Sequence, residues 1–285
     1  VDGGFTTICT VTVRPDIPPA NPNYRITVEA TQGGTVTADP TAAKAGATVT
    51  LTPVPDRGYQ VGTVAVTDRF GEPVAVTEQA DGTYTFTMPN GQVTVTVTFA
   101  EAPLPFPDVT EGDWFYDAVR YAYETGLMDG VGDSLFAPNS DTTRAQLVTI
   151  LYRLEGEPEA GECPFTDVAD DTWYTDAVAW AAANGIVTGV SDTTFAPDAE
   201  ITRESLAVIL YRYAQMKELP QGEAGDLTAF TDGASVSDWA TEAMAWAVGE
   251  GILTGKSGNT LDPQGTATRA EVSTMLMRFH KGMQA

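Results

Sequence analysis

Three tryptophans and three arginines constrain this chain more tightly than any composition does. Trp114, Trp173 and Trp239 stand 59 and 66 residues apart, and Arg144, Arg203 and Arg269 repeat the same two intervals, so each tryptophan precedes its arginine by 30 residues. A fixed internal distance with unequal joins marks one structural unit used three times and linked by adjustable loops. The copies open FPDVTEGDWFYDAV, FTDVADDTWYTDAV and FTDGASVSDWATEAM. The extra residues of the third copy fall before its tryptophan, around 219–228.

Each unit reads as two helices bridged by a loop. In WYTDAVAWAAANG the period puts Trp173, Ala177 and Trp180 on one helical face, and Gly185 can end the helix in left-handed geometry. The first copy uses Trp114, Ala118, Tyr121 and Gly126, the third Trp239, Ala243, Trp246 and Gly251. A second glycine follows (Gly130, Gly189, Gly255), then a proline (Pro138, Pro197, Pro263) five residues before a threonine. That threonine opens the second helix with TTRAQ, ITRES or ATRAE. Thr143 with Gln146 and Thr268 with Glu271 form capping boxes, while Thr202 with Ser205 keeps half of one. Leu147, Ile150, Leu151 and Leu154 mark the buried stripe of the first second helix. Two bridged helices cannot bury both apolar faces alone, so the three copies are expected to share a core.

The arginine after each threonine sits where the helix dipole disfavours a cation by about 0.3–1 kcal/mol. Two readings stand side by side. Free helix amides plus a guanidinium make a receptor for a carboxylate or phosphate. Alternatively each arginine pairs with a nearby acid such as Asp141 or Asp198. A second series, Arg153, Arg212 and Arg278, follows nine residues later on the opposite helix face and reads as surface or interprotomer charge.

The first 100 residues use another grammar. Thr94, Thr96 and Thr98 alternate with Val93, Val95, Val97 and Phe99, as do Tyr24, Ile26 and Val28 with their neighbours, the period of strands with one buried face. Turn signals at Gly33-Gly34, Arg57-Gly58, Phe70-Gly71, Asp81-Gly82 and Asn90-Gly91 have the spacing of a small antiparallel sandwich. Pro15, Pro18, Pro19 and Pro22 read as a stiff extended linker. The opening VDGGFTTICTVTV alternates like a final strand without partners, so Val1 is expected to be a cut inside a larger protein.

Composition removes several functions. With 39 acidic and 15 basic residues among 285, the formal charge of −24 opposes nucleic-acid and anionic-membrane binding. One histidine, His280, and two distant cysteines, Cys9 and Cys163, assemble neither a zinc cluster nor a histidine-based triad. Cys9 reads as a small buried hydrophobe. No apolar run is long enough to span a membrane. No cofactor and no metal site built from these residues is expected, with a bound cation beside an acidic ligand kept as an open alternative. Paired carboxylates such as Asp170 and Asp171 could serve a glycosidase, but they read better as caps of the Trp173 helix.

The succession FxDV, W, G, G, F-x-P and TRAE, found three times, resembles the S-layer homology domain. The resemblance implies a mainly α pseudo-threefold bundle with grooves between neighbouring repeats. It also implies noncovalent anchoring of an extracellular bacterial surface protein to secondary cell-wall polysaccharide, commonly one bearing an acidic pyruvate ketal. The groove residues it implies are Arg144, Arg203 and Arg269, Trp114, Trp173 and Trp239, and Gly130, Gly189 and Gly255, with Lys256 an addition in the third copy. Each has a plain structural alternative: core tryptophan, or glycine needed for positive φ. Trp180 and Trp246 are expected to be core. The run GGTVTADPTAAKAGATVTLTPVPDRGYQV with GTYTFTMPNGQVTVTVTF is similar to divergent internalin B-type repeats, and the opening strand to the end of a group 2 bacterial immunoglobulin-like domain.

The expected organisation is therefore multidomain: a truncated immunoglobulin-like strand (1–14), a linker (15–23), an all-β small sandwich (24–100), a second linker (101–105) and three helical repeats (106–158, 165–217, 230–282). Glu204 beside Arg203 departs from the motif and is expected to weaken the groove that uses Arg203. The competing role is self-assembly with other surface-protein copies into a lattice.

Overall fold

The computed structural model describes residues 22–132 and 134–284, and the chain divides into two compact units between residues 101 and 102. The expected immunoglobulin-like strand, Cys9 and most of the proline-rich linker lie outside the described residues.

The first unit is built of two sheets. Its strands are β1 (Tyr24–Ala30), β2 (Gly34–Asp39), β3 (Ala42–Ala43), β4 (Thr48–Pro55), β5 (Tyr59–Asp68), β6 (Pro73–Val74), β7 (Val76–Glu78), β8 (Tyr84–Thr87) and β9 (Val93–Glu101). One sheet runs β3-β1-β9-β5-β6 and the other β2-β4-β8-β7. The alternation works as expected: Val93, Val95 and Val97 are buried and meet Val49, Leu51 and Phe86 of the other sheet. Gly33, Gly58, Gly71 and Gly82 take positive φ at the turns. The topology is not wholly antiparallel, because β1 pairs with β9 in parallel, Ile26 opposite Val93. Strands adjacent in sequence tend to form hairpins, and the pairing of the first strand with the last has no local signal.

Among its described residues the second unit has six α-helices, two per repeat: α1 (Tyr116–Glu124), α2 (Arg144–Leu154), α3 (Thr175–Ala183), α4 (Arg203–Met216), α5 (Thr241–Gly249) and α6 (Arg269–Met283). Both capping boxes form, and Thr202 accepts from the Ser205 amide alone. Gly126, Gly185 and Gly251 follow the first helices at φ 73°, 70° and 69°. Asp170 and Asp171 do not cap α3. The turn before it is held by Thr175, whose hydroxyl accepts from the Thr172 amide at 3.0 Å and donates to the Ala169 carbonyl at 2.8 Å.

The repeats close on one another. α3 packs on α2, α5 on α4 and α1 on α6, and one core joins Val119, Leu151, Val178, Leu210, Met244 and Leu276. Tyr121 of α1 and His280 of α6 share a 2.8 Å hydrogen bond across the last of these contacts. At the centre lie three backbone bonds in a ring: Thr142 N–H to the Ala267 carbonyl (3.0 Å), Ala267 N–H to Ile201 (2.9 Å) and Ile201 N–H to Thr142 (2.8 Å). All three residues are fully buried, each two positions before a repeat arginine.

The ring contains one unsatisfied group. Thr142 Oγ1 is buried without a hydrogen-bond partner among the described residues, where the other copies place Ile201 and Ala267. Thr142→Val keeps the shape and removes the stranded hydroxyl, so it is expected to stabilise the unit by about 1 kcal/mol, read as a melting temperature about 2–4 °C higher. A lower melting temperature would show that the hydroxyl has a stabilising role.

Candidate functional site

The helix N-termini do not offer free amides. The Arg144 amide donates to the Ala199 carbonyl at 2.9 Å and the Ala145 amide to Pro197 at 3.0 Å, both in the next repeat. Arg203 and Glu204 do the same to Gly265 and Pro263, and Arg269 and Ala270 to Ser140 and Pro138. The third amide is taken by the capping threonine in every copy. The anion receptor expected from helix amides is thus consumed by contacts between repeats.

The arginine side chains bind across the same joints. Arg144 Nε donates to the Phe195 carbonyl at 2.9 Å, Arg203 Nε to Leu261 at 2.8 Å and Arg269 Nε to Phe136 at 2.7 Å. Their guanidiniums stack on Phe195 and Phe136, each 4.7 Å from the ring centre, whereas Leu261 offers no ring to Arg203. Asp141 and Asp198 are not their partners. Acids facing them include Asp167 for Arg144, Asp108 and Asp129 for Arg269, and Glu271 for Arg203, the last an ion pair at 3.4 Å. Burial pushes all three guanidiniums below the ordinary arginine value, and these acids oppose it.

The aspartate of each opening motif fixes the carbonyl that the arginine needs. Asp108 accepts from the amides of Phe136 and Ala137, Asp167 from Phe195 and Ala196, and Asp232 from Leu261 and Asp262, all at 2.7–2.9 Å. Each clamp holds its second residue in the left-handed region, Ala137 at φ 55°, Ala196 at 58° and Asp262 at 51°, where a side chain is strained. Burial works against ionising Asp167, but the two amides and Arg144 outweigh it and hold its carboxyl below the usual range. These aspartates were legible as a constant FxD but were not singled out as site residues.

Three recesses result, each drawing on all three repeats. The first is lined by Gly130, Gln146 and Arg153 of the first repeat, Trp173 of the second and Arg269 of the third. The second takes Gly189, Ser205 and Arg212 with Trp239 and Arg144. The third takes Gly255, Lys256, Glu271 and Arg278 with Trp114 and Arg203. Their cavity volumes are about 170, 370 and 500 Å³. Arg153, Arg212 and Arg278, expected as surface or interprotomer charge, are exposed or half-buried and line the recesses. The two arginine series point away from each other on one helix, yet each recess receives one of each from successive repeats.

The tryptophans are exposed, Trp114 at 68%, Trp173 at 60% and Trp239 at 60%. They do not share a buried helical face with Ala177 or Trp180, because α1 and α3 begin two residues later and Trp239 lies in a short 3-10 turn, Asp238–Ala240. Trp180 and Trp246 are core, as expected. The loop glycines have a packing reason. A Cβ on Gly130, Gly189 or Gly255 would stand 2.7, 2.7 or 2.8 Å from the ring of Phe106, Phe165 or Phe230, the first residue of each repeat motif.

Glu204 does not neutralise Arg203. It is buried and accepts from the Ser237 amide (3.1 Å) and hydroxyl (3.0 Å), two residues before Trp239, so it anchors the turn that presents that indole. The group paired with Arg203 is Glu271, whose same oxygen takes Lys256 Nζ at 3.1 Å. Lys256 also meets Asp262 at 2.9 Å; burial opposes its charge, but Asp262 and Glu271 hold its ammonium above the ordinary lysine value. Among the described residues no group of three or more His, Cys, Asp or Glu could hold a metal, and no helix is long and apolar enough to cross a membrane.

This architecture is one helix–loop–helix unit used three times around a shared core. The chain carries three S-layer homology domains, matched over residues 105–148, 164–207 and 229–273, preceded by a divergent InlB B-repeat domain over 24–103. It is 35% identical over 173 residues to the "Surface-layer 125 kDa protein" of Lysinibacillus sphaericus, covering 59% of this chain and 14% of that protein. It is 32% identical over 174 residues to "Amylopullulanase" of Thermoanaerobacterium thermosulfurigenes, covering 60% and 9%. To "Exoglucanase XynX" of Acetivibrio thermocellus it is 30% identical over 189 residues, covering 66% and 17%. The chain thus spans less than a fifth of each of these relatives. Its repeats identify it as a cell-surface protein with an anchoring role, and S-layer homology domains are themselves non-catalytic.

The arginine joints predict a stability order. Arg203→Ala strands the Leu261 carbonyl and removes one of the two cations held by the almost buried Glu271, Lys256 remaining, and is expected to cost more than about 2 kcal/mol. Arg144 is half-buried and leaves the Phe195 carbonyl and ring, with Asp167 keeping its two amide donors, so Arg144→Ala is expected to cost about 1–2 kcal/mol. Urea midpoints read the difference; equal losses would mean that the Glu271 pair adds nothing.

Proposed function

We propose that this chain is a noncovalent anchor whose three grooves, arranged in a pseudo-threefold bundle, bind an acidic secondary cell-wall polysaccharide of the pyruvylated kind. The observation that carries the reading is the convergence, in every groove, of two arginines from successive repeats and an exposed tryptophan from the third. A guanidinium suits a ketal carboxylate through paired N–H donors, and an exposed indole suits the apolar face of a sugar ring. Net charge argues against an acidic ligand only at first sight. Residues 101–285 hold 30 acids and 10 bases, but repulsion between exposed charges is screened within about 8 Å at physiological ionic strength. Six of those ten bases are the groove arginines. The ring supports the pseudo-threefold arrangement: equivalent residues meet in the three central hydrogen bonds, and every first helix packs on the second helix of the preceding repeat.

The grooves are unequal in this reading. Among the described residues the second groove has no acid in its lining, and Arg144 is the most exposed of the three motif arginines. The first contains Asp129, and in the third Arg203 is already paired. The groove using Arg203 remains the weakest, with Glu271 rather than Glu204 as the cause. Arg144→Ala is expected to lower affinity for purified wall polysaccharide about tenfold, a loss of about 1.4 kcal/mol, Arg269→Ala less, and Arg203→Ala least once corrected for folded fraction. Equal losses, or the greatest from Arg203→Ala, would contradict this order.

A further inference from the structure

We propose that the residue at the third position of each second helix, Gln146, Ser205 or Glu271, sets the charge selectivity of its groove, and that Glu271 tunes the third groove against acidic ligands. The three positions are equivalent by sequence and each lines its own groove. Each shares its groove with the motif arginine of the preceding repeat, and Glu271 pairs with it directly, so one position can both cap a helix and govern a cation supplied by another repeat.

Glu271 does both. One oxygen accepts the Thr268 amide at 3.1 Å, completing the capping box, and the other holds Arg203 at 3.4 Å and Lys256 at 3.1 Å. Its side chain is only 13% exposed and that of Arg203 5%, so the pair is shielded from solvent screening. An incoming carboxylate must compete with Glu271 for both cations and accept its repulsion. Ser205 brings no charge to the second groove, where no ion pair engages Arg144 among the described residues. Gln146 shows that the capping role does not require the charge: α2 closes its box with an amide, the Gln146 Oε1 accepting the Thr143 N–H at 3.0 Å. Glu271→Gln therefore preserves the cap while releasing Arg203 toward the groove and leaving Lys256 with Asp262.

The inference rests on the grooves being sites for acidic sugars, and the test separates the two. Each groove holds its own exposed indole, Trp173, Trp239 or Trp114, while buried Trp180 and Trp246 serve as references. The full chain, labelled with ¹⁵N, is titrated with a methyl hexoside carrying a 4,6-linked pyruvate ketal, and the indole N–H resonances are followed. In the wild type Trp239 should saturate at lower concentration than Trp114. Glu271→Gln should tighten the Trp114 titration about tenfold and leave Trp239 unchanged, while Gln146→Glu loosens Trp173 by a similar factor. Normal titration at Trp239 with Trp114 unmoved by Glu271→Gln would overturn the selectivity role and leave the groove reading standing. No shift at any of the three indoles would overturn the groove reading and this inference with it.

Discussion

Everything in the helical unit depends on how the ends of the second helices are satisfied. A helix start leaves backbone amides without internal partners, and here each start gives its first two to the neighbouring repeat and its third to a threonine. The consequence is reciprocal: no second helix is complete without the next repeat's proline loop. The buried ring through Thr142, Ile201 and Ala267 ties the three joints together, and the arginines reinforce each joint from the side. A repeat removed from this arrangement would leave amides, carbonyls and apolar faces exposed on both neighbours.

The same constraint makes the grooves. Because the arginine must reach the next repeat's carbonyl, its terminal nitrogens arrive beside that repeat's own second helix and loop. The tryptophan of the following repeat forms the remaining wall. The proposed grooves and the architecture therefore share residues, and Arg203 and Arg269 are almost fully buried although they line recesses. Glu204 illustrates the coupling. It departs from the motif, yet it holds Ser237 and so fixes the turn carrying Trp239.

Features governed by contacts within one helix were legible in the sequence: the capping boxes, the glycine ends, the buried stripe of α2 and the need for a shared core. Features that depend on a neighbouring repeat were not. Nothing local to TTRAQ reveals that its amides meet Ala199 and Pro197, or that Arg212 and Arg144 face one groove. Helical periodicity placed Trp173 with Trp180, but it could not say that the helix starts after Trp173 and leaves that indole outside. In the β unit the alternation identified the buried face, while the parallel pairing of β1 with β9 joins residues some 67 apart.

The central claim is that placed arginines, set against a strongly acidic surface, recognise the acid on a wall glycan. The most direct measurement is the affinity of the full chain for purified secondary wall polysaccharide before and after chemical removal of its acidic substituent. The account predicts that removal weakens binding at least tenfold, the scale of one lost charge-assisted contact. Undiminished binding to the neutral polymer would contradict it.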